Sequence, residues 1–194
     1  MKKLKITLII LAISSFINAN VSAQDKAYEL KNSVINLGVG FGYSVGYVSG
    51  TTASPVLNVS YEYALIEAGP GILGIGGCLS YQGSNFEHSD GFGTYKQTWN
   101  TSFFALRGTW HPEMLIGEKY DVYGALQIGY YNYHYKFSGT GLYDDAGEYS
   151  SDLDNSIGLG LVVGGRYFFT KNIGAFAELG YDIAYFKVGL SAKF

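Results

Sequence analysis

The sequence predicts an all-β protein that folds as an eight-stranded antiparallel up-and-down transmembrane β-barrel. The first observation is alternation: segments of about ten residues carry apolar side chains at every second position, as in strands with one face toward lipid. The second is composition, because 27 glycines, 18 tyrosines and 12 phenylalanines stand against only 3 prolines. In membrane barrels aromatic rings form girdles at both interfaces, and glycine permits tight strand curvature.

The beginning of the chain has the pattern of an export signal peptide. Three lysines among the first five residues precede an apolar run at 6–13, and Val21-Ser22-Ala23 is a small-residue cleavage pattern. These lysines leave with the leader, so the remaining chain has 10 basic and 16 acidic residues and a net charge of −6. An acidic protein is not expected to bind nucleic acid. The expected division is a signal peptide at 1–23, a short N-terminal lead-in at 24–32 and an outer-membrane β-barrel at 33–194.

A helical membrane protein and a fold stabilised by intramolecular disulfides are both excluded by simple counts. The apolar run of the leader is too short to cross a membrane, and no other segment has about 18 consecutive apolar residues, which excludes a helical membrane protein. Cys78 is the only cysteine, so no intramolecular disulfide can form.

Alternating segments separated by turn-rich stretches divide the chain into eight strands, an even number. The predicted strands are 33–47, 55–66, 71–82, 96–110, 120–136, 156–169, 174–182 and 185–194. With both termini on the periplasmic side, the connectors at 83–95 and 138–155 are extracellular, and we expect them to be long polar loops. Two connectors depart from this asymmetry: 110–119 is long for a periplasmic turn, and the extracellular one near Asp182 is very short.

Alternation also predicts which side chains face outward. In the second strand Leu57 and Tyr61 share one face, while Asn58 and Glu62 share the other. The face that carries charges must be the inner one, since a soluble lipocalin-like barrel would instead hold its bulky apolar side chains inside. The fifth strand loses the pattern at 130–135, which indicates either a bulge near Gly129 or a strand that leaves the bilayer there.

Charged residues on the inward face are expected to form a layer inside the barrel. An eight-stranded barrel has room only for side chains, so these charges should meet as arginine–carboxylate pairs and close the lumen, leaving no diffusion pore. We interpret the layer as structural, and a gated or proton-linked conduit is the alternative. The inward charges are Glu62, Arg107, Arg166, Glu178, Lys187 and Lys193. Small residues above them allow either a water-filled vestibule or strand curvature, namely Gly38, Gly40, Gly42, Ser44, Gly76, Cys78, Ser80, Gly158 and Gly160.

Two loops invite chemical interpretation. His88-Ser89-Asp90 has the residue types of a catalytic triad, but adjacent residues on an extended segment point in different directions. His111, in a predicted periplasmic turn, and His134, near the extracellular rim, are not expected to join it. The third extracellular loop is a candidate cation-binding loop without EF-hand spacing, which we interpret as a solvated acidic loop screened by divalent cations at the lipid headgroups. Its acids are Asp144, Asp145, Glu148, Asp152 and Asp154.

The end of the chain resembles a known assembly signal. Lys187-x-Gly189-x-x-Ala192-x-Phe194 is similar to the polar-x-Gly-x-x-hydrophobic-x-aromatic pattern that the barrel-assembly machinery reads. The strand at 177–181 also looks like the seventh strand of a known family. Through these two features the chain resembles the outer membrane protein β-barrel domain family, the small bacterial barrels of the OmpX and OmpA type. This resemblance implies an integral outer-membrane location and the assembly machinery as a partner during biogenesis, and it brings no catalytic residues.

The sequence therefore favours a non-enzymatic, monomeric outer-membrane barrel that contacts outer-membrane lipid and stabilises the envelope or presents loops to a surface partner. No cofactor or metal is expected. One rival is a lipid-modifying enzyme, which needs His88 or His134 to converge with a serine and an acid. The other is a small-ligand barrel, which needs an enclosed void above Arg107 and Glu62.

Overall fold

The computed structural model describes residues 26–42, 50–143, 149–152 and 155–194, with the side chains of 149 and 152 left out. The expected signal peptide therefore lies outside the described residues. Within them the chain forms ten strands. They are β1 (Ser33–Phe41), β2 (Thr52–Ala53), β3 (Val56–Glu67), β4 (Gly71–Asp90), β5 (Gly93–Pro112), β6 (Tyr120–Gly141), β7 (Tyr149–Asp152), β8 (Ser156–Phe168), β9 (Ile173–Tyr181) and β10 (Phe186–Lys193).

Eight of these strands close into a ring. Each pairs antiparallel with the next in the order β1, β3, β4, β5, β6, β8, β9, β10, and β10 pairs back onto β1, where Leu37 lies opposite Leu190. Closure matters because an open sheet edge would leave unpaired amide and carbonyl groups. The two short strands lie outside the ring, β2 on β4 and β7 on β6. The predicted eight-stranded antiparallel barrel is confirmed.

Side chains alternate between the two faces as the sequence predicts. On β3, Leu57 is 59% exposed and Tyr61 44%, whereas Asn58 and Glu62 are 3% and 1% exposed. The same alternation continues to the end of β10, where Lys187 is buried and Leu190 is exposed. The polar face is the inner one, so the lipocalin-like alternative is wrong for this chain.

The hairpin of β4 and β5 is much longer than predicted. Its strands pair without interruption from Gly71–Pro112 to Asp90–Gly93, so the expected polar loop at 83–95 is mostly strand. The sequence pattern misled here because aromatic and polar residues alternate in place of apolar and polar ones. The connector at 110–119 is also shorter than predicted, since β5 continues to Pro112 and a 3-10 helix follows at Glu113–Leu115.

Strand β6 extends past the ring together with β4 and β5. It pairs with β5 in unbroken register from Gly124 to Gly141, so the bulge predicted near Gly129 is wrong. The other alternative is a strand that leaves the bilayer there. β6 does continue past its last pairing with β8, at Tyr131 and Ser156, and the position of a bilayer remains a prediction. We call residues 83–90, 93–101 and 132–141 the strand extension. Rings pack on it, with the Tyr95 centroid 5.2 Å from Tyr143 and the Trp99 centroid 5.6 Å from Tyr135.

Helical structure contributes little to this fold. Within the described part of the chain, no helix is long and apolar enough to cross a membrane.

Candidate functional site in the barrel interior

Four ionisable side chains meet at the end of the barrel that carries the C-terminus and the start of β1. This mouth cluster consists of Glu62 on β3, His111 on β5, Asp121 on β6 and Arg166 on β8. Arg166 donates to Glu62 at 2.8 Å and to Asp121 at 3.0 Å. The His111 Nε2 atom lies 2.7 Å from Glu62 Oε1, and its Nδ1 lies 2.8 Å from Asp121 Oδ1. All four side chains are buried.

A second group, the middle cluster, lies above the first and contains Arg107, Glu178, Asp182 and Lys187. Arg107 donates to Glu178 at 2.5 Å. Lys187 lies 3.2 Å from Glu178 and donates to Asp182. Each of these charges faces an opposite charge, which is the arrangement that makes buried ions tolerable.

Tyr123 joins the two clusters. Its hydroxyl donates to Glu178 at 2.8 Å. Its ring centroid lies 4.3 Å from the guanidinium carbon of Arg166 and 5.5 Å from that of Arg107, within the range of cation–π attraction. The mouth cluster and the middle cluster are therefore connected in one polar network.

The structure brings together most of the charges predicted to form the layer, but Lys193 lies apart from it. Glu62, Arg107, Arg166 and Glu178 belong to the network, as does Lys187. Lys193 instead donates through Nζ to the carbonyl of Lys26 at 3.2 Å. The reason is distance, because six residues separate Lys193 from Lys187 along β10, or about 20 Å of strand.

The network also contains residues that were not predicted to belong to the charged layer. His111, predicted to lie in a turn, is fully buried on β5, because alternation from Arg107 through Thr109 continues to it. Asp121 and Tyr123 have the inward parity of Gln127 on β6, so the same rule would have found them. Asp182 follows β9 in a turn, where its Oδ1 accepts from the amide of Ala184 at 2.9 Å, and it has the inward parity of Glu178 at the end of the predicted strand 174–182.

The lead-in segment packs into the mouth of the barrel. Tyr28 is fully buried, and its ring stacks on His111 with centroids 3.8 Å apart and planes 13° apart. Burial raises the pKa of the Tyr28 hydroxyl, so it stays neutral. At the surface Lys26 donates to Glu113 at 2.9 Å, and this hydrogen bond raises the pKa of Lys26 and lowers that of Glu113.

The space above the middle cluster is packed. The turn after β9 folds inward, so Ile183 and Ala184 bury themselves against Val56, Cys78 and Phe103. The small residues serve this packing: a Cβ on Gly158 would lie 2.4 Å from the Tyr131 ring, and one on Gly40 would lie 2.7 Å from the Cβ of Ala184. Of the two alternatives for these small residues, the vestibule is not supported, because within the described residues this space is filled by side chains, which argues against a ligand void there.

The candidate triad does not converge. His88 Nε2 lies 3.9 Å from Asp90, whereas Ser89 projects to the other face of β4 and its hydroxyl lies 2.8 Å from that of Thr94. His134 pairs with Asn100, so it lies on the opposite face of the strand extension from His88, which pairs with Tyr95.

The remaining predicted sites are the acidic third loop and the assembly signal at the end of the chain. Asp144, Asp145, Glu148 and Asp154 lie outside the described residues, and Asp152 belongs to β7 opposite His134. Among the described residues, no group of three or more His, Cys, Asp or Glu is arranged to hold a metal ion. In the predicted assembly signal, Lys187 joins the middle cluster and Gly189 lies opposite Gly38 on β1. Ala192 and Phe194 lie on the outer face, and the role of these four residues remains a prediction.

Fold and interior together define a closed eight-stranded antiparallel β-barrel with an ion-paired interior and an apolar exterior. Solved structures with this fold include Ail, the attachment invasion locus protein of Yersinia pestis, solved in complex with the heparin analogue sucrose octasulfate. The two share 16% identity and a TM-score of 0.54 over 86% of this chain and 100% of that one. The outer membrane protein OprG from Pseudomonas aeruginosa shares 14% identity with this chain, with a TM-score of 0.50 over 88% of this chain and 99% of that one. At these identities the likeness shows the fold alone. No protein-family model and no curated protein matches the sequence.

Proposed function

We propose that this chain is an integral protein of a bacterial outer membrane. The observation that carries the proposal is a belt of leucines on the outer face, one on each ring strand, each 51–70% exposed. Exposing so much contiguous apolar surface to water would be unfavourable, whereas lipid tails would solvate it. The belt consists of Leu37, Leu57, Leu79, Leu106, Leu126, Leu161, Leu179 and Leu190.

Aromatic residues border this belt, and their separation matches the thickness of the apolar part of a membrane. Tyr120 and Tyr130 are both exposed on β6 and ten residues apart, which is about 33 Å of strand. At a strand tilt of about 40° their separation along the barrel axis is about 25 Å, the height of the apolar band in outer-membrane barrels. Both rings then lie at the lipid–water interfaces.

We further infer that the barrel is non-enzymatic and closed, and that it serves envelope structure or surface interaction. The ion-paired clusters and the apolar packing above them support a lumen filled by side chains. The strand extension lies at the end opposite the C-terminus and the start of β1, so it would project outside the cell and be the part available to a surface partner.

The proposed location has a direct test in electrophoretic mobility. The protein is expected in the outer-membrane fraction, migrating compactly in cold detergent and more slowly after boiling, because a closed hydrogen-bonded sheet resists detergent until heated. A soluble periplasmic protein without a heat-dependent shift would contradict the proposal.

The enzymatic rival is tested by the two exposed histidines. We expect His88→Ala and His134→Ala, singly and together, to leave the lipid A profile of the cells unchanged. Ser89 lies on the opposite face of β4 from His88 and Asp90, and His88 and His134 lie on opposite faces of the strand extension, so they do not share one site. Mass spectrometry of extracted lipid A is the measurement, with a strain lacking the protein as the control. A species that the complete protein restores and the double variant does not would favour a lipid-modifying enzyme.

A further inference from the structure

The two buried clusters differ in their charge balance. The middle cluster has two carboxylates, Glu178 and Asp182, against two permanent cations, Arg107 and Lys187. The mouth cluster has two carboxylates but only one permanent cation, Arg166. An uncompensated charge in a buried cluster is costly, so the mouth cluster needs one more proton, and His111 is the titratable group that contacts both carboxylates.

The contacts of His111 identify where that charge resides. A neutral imidazole has one N–H donor and one bare nitrogen. With the proton on Nε2, the bare Nδ1 would face Asp121 Oδ1 at 2.8 Å, lone pair to lone pair. With the proton on Nδ1, the hydroxyl of Thr109 could donate to Nε2 at 3.1 Å, but Glu62 Oε1 would remain 2.7 Å from the same bare nitrogen. Only the doubly protonated ring is attracted to both carboxylates.

We propose that His111 is a buried imidazolium and that its charge holds Tyr28, and with it the N-terminal segment 26–32, in the mouth of the barrel. We call the packing of this segment in the mouth its seating. The phenol ring lies flat on the imidazole at 3.8 Å, where its electron-rich face meets a cation. Arg166 is a second cation near the same ring, with its guanidinium carbon 5.8 Å from the centroid. The segment's other described anchors include the Ala27–Gly117 and Lys31–Ala64 backbone hydrogen bonds and the exposed Lys26–Glu113 pair.

The direction of the pH dependence follows from the groups around the ring. Glu62 faces it from β3, Asp121 and Tyr123 from β6, Arg166 from β8, and Tyr28 from the N-terminal segment. At neutral pH the cluster is balanced and the segment is seated. As pH rises and His111 loses its second proton, two carboxylates face one arginine and the stack loses its cation. Seating is therefore retained at neutral and mildly acidic pH and lost toward alkaline pH.

The protonation state is measured directly by nitrogen NMR of the histidine rings. The protein is labelled with 15N-histidine in detergent micelles, and His88→Gln with His134→Gln removes the other two signals. At neutral pH we expect both ring nitrogens of His111 to carry a proton. In the further variant Asp121→Asn, which removes one carboxylate, the second proton should leave at lower pH. A single-proton tautomer at neutral pH in the parent protein would overturn the proposal.

Seating is measured by trypsin cleavage after Lys26 and Lys31, followed by mass spectrometry of the fragments. Rates are normalised at each pH to an unstructured peptide of the same sequence. Cleavage of the parent protein should be slow at neutral pH and accelerate toward alkaline pH, since proteolysis tracks the open population. His111→Gln should be cleaved at least about tenfold faster at neutral pH, with no further pH dependence.

The matched control is His88→Gln, on the exposed strand extension, which should behave as the parent. Equal protection of the segment in His111→Gln and the parent protein would overturn the role of His111 in seating. If His111→Gln fails to fold, the NMR measurement on the parent still decides the charge of the ring, and the pH dependence of its cleavage decides the seating.

Discussion

Replacing Leu126 with arginine is expected to destabilise the barrel by about 2–4 kcal/mol in a lipid bilayer. Leu126 is 61% exposed on the outer face of β6, between Tyr120 and Tyr130 and opposite Leu161 on β8. If this face contacts hydrocarbon, the guanidinium must lose its hydration or deform the bilayer to keep it. In water the same substitution at an exposed leucine changes stability by only about 0.5 kcal/mol in either direction. Denaturant unfolding in phospholipid vesicles measures the difference.

The matched control for this experiment is Met114→Arg. Met114 is 85% exposed in the 3-10 helix after β5, beyond the aromatic border, and its arginine would lie in water. Its effect should remain within about 0.5 kcal/mol. Equally small effects at both positions would mean that the leucine belt does not face lipid, and the proposed membrane location would fail with it.

The ring strands and their faces were predictable because their physical basis is local. A strand repeats every two residues, so a single turn signal and a few apolar positions fix which side chains point inward. The contrast of Leu57 with Asn58, or of Lys187 with Val188, is sufficient for this. The strand extension was not predictable in the same way, because no lipid band favours apolar residues there, and cross-strand pairs such as Trp99 with Tyr135 hold it instead.

The site was predictable only as a set of inward charges. Which of them meet depends on stagger across the closed barrel, and Arg166 reaches Glu62 from a strand 104 positions along the chain. His111 lies beyond the predicted end of its strand, so its parity becomes informative only once β5 is known to continue to Pro112. Asp121 lies within the predicted strand 120–136, where its parity already indicated the inner face. Tyr28 lies outside the ring strands, so no alternation indicated that its side chain enters the lumen, whereas Asp182 has the inward parity of Glu178 at the end of the predicted strand 174–182.

Replacing Arg166 with methionine is expected to cost about 3–5 kcal/mol of folding free energy, because it leaves Glu62 and Asp121 buried without their permanent cation. Methionine retains most of the length of the side chain, so the loss reports charge more than packing. The measurement is again reversible unfolding in vesicles, and the heat-modifiable band gives an independent reading of how much barrel forms.

A second substitution separates charge balance from lost volume. Glu62→Gln removes one of the two carboxylates, so Arg166→Met with Glu62→Gln should lose less stability than the sum of the single variants, with a coupling of about 0.5–3 kcal/mol. His111 then balances Asp121 alone, and the remaining contacts of the mouth cluster are electrically neutral. Additive losses would mean that Arg166 stabilises the barrel by packing, for example on the Tyr123 ring, and that the charge balance of the cluster contributes little.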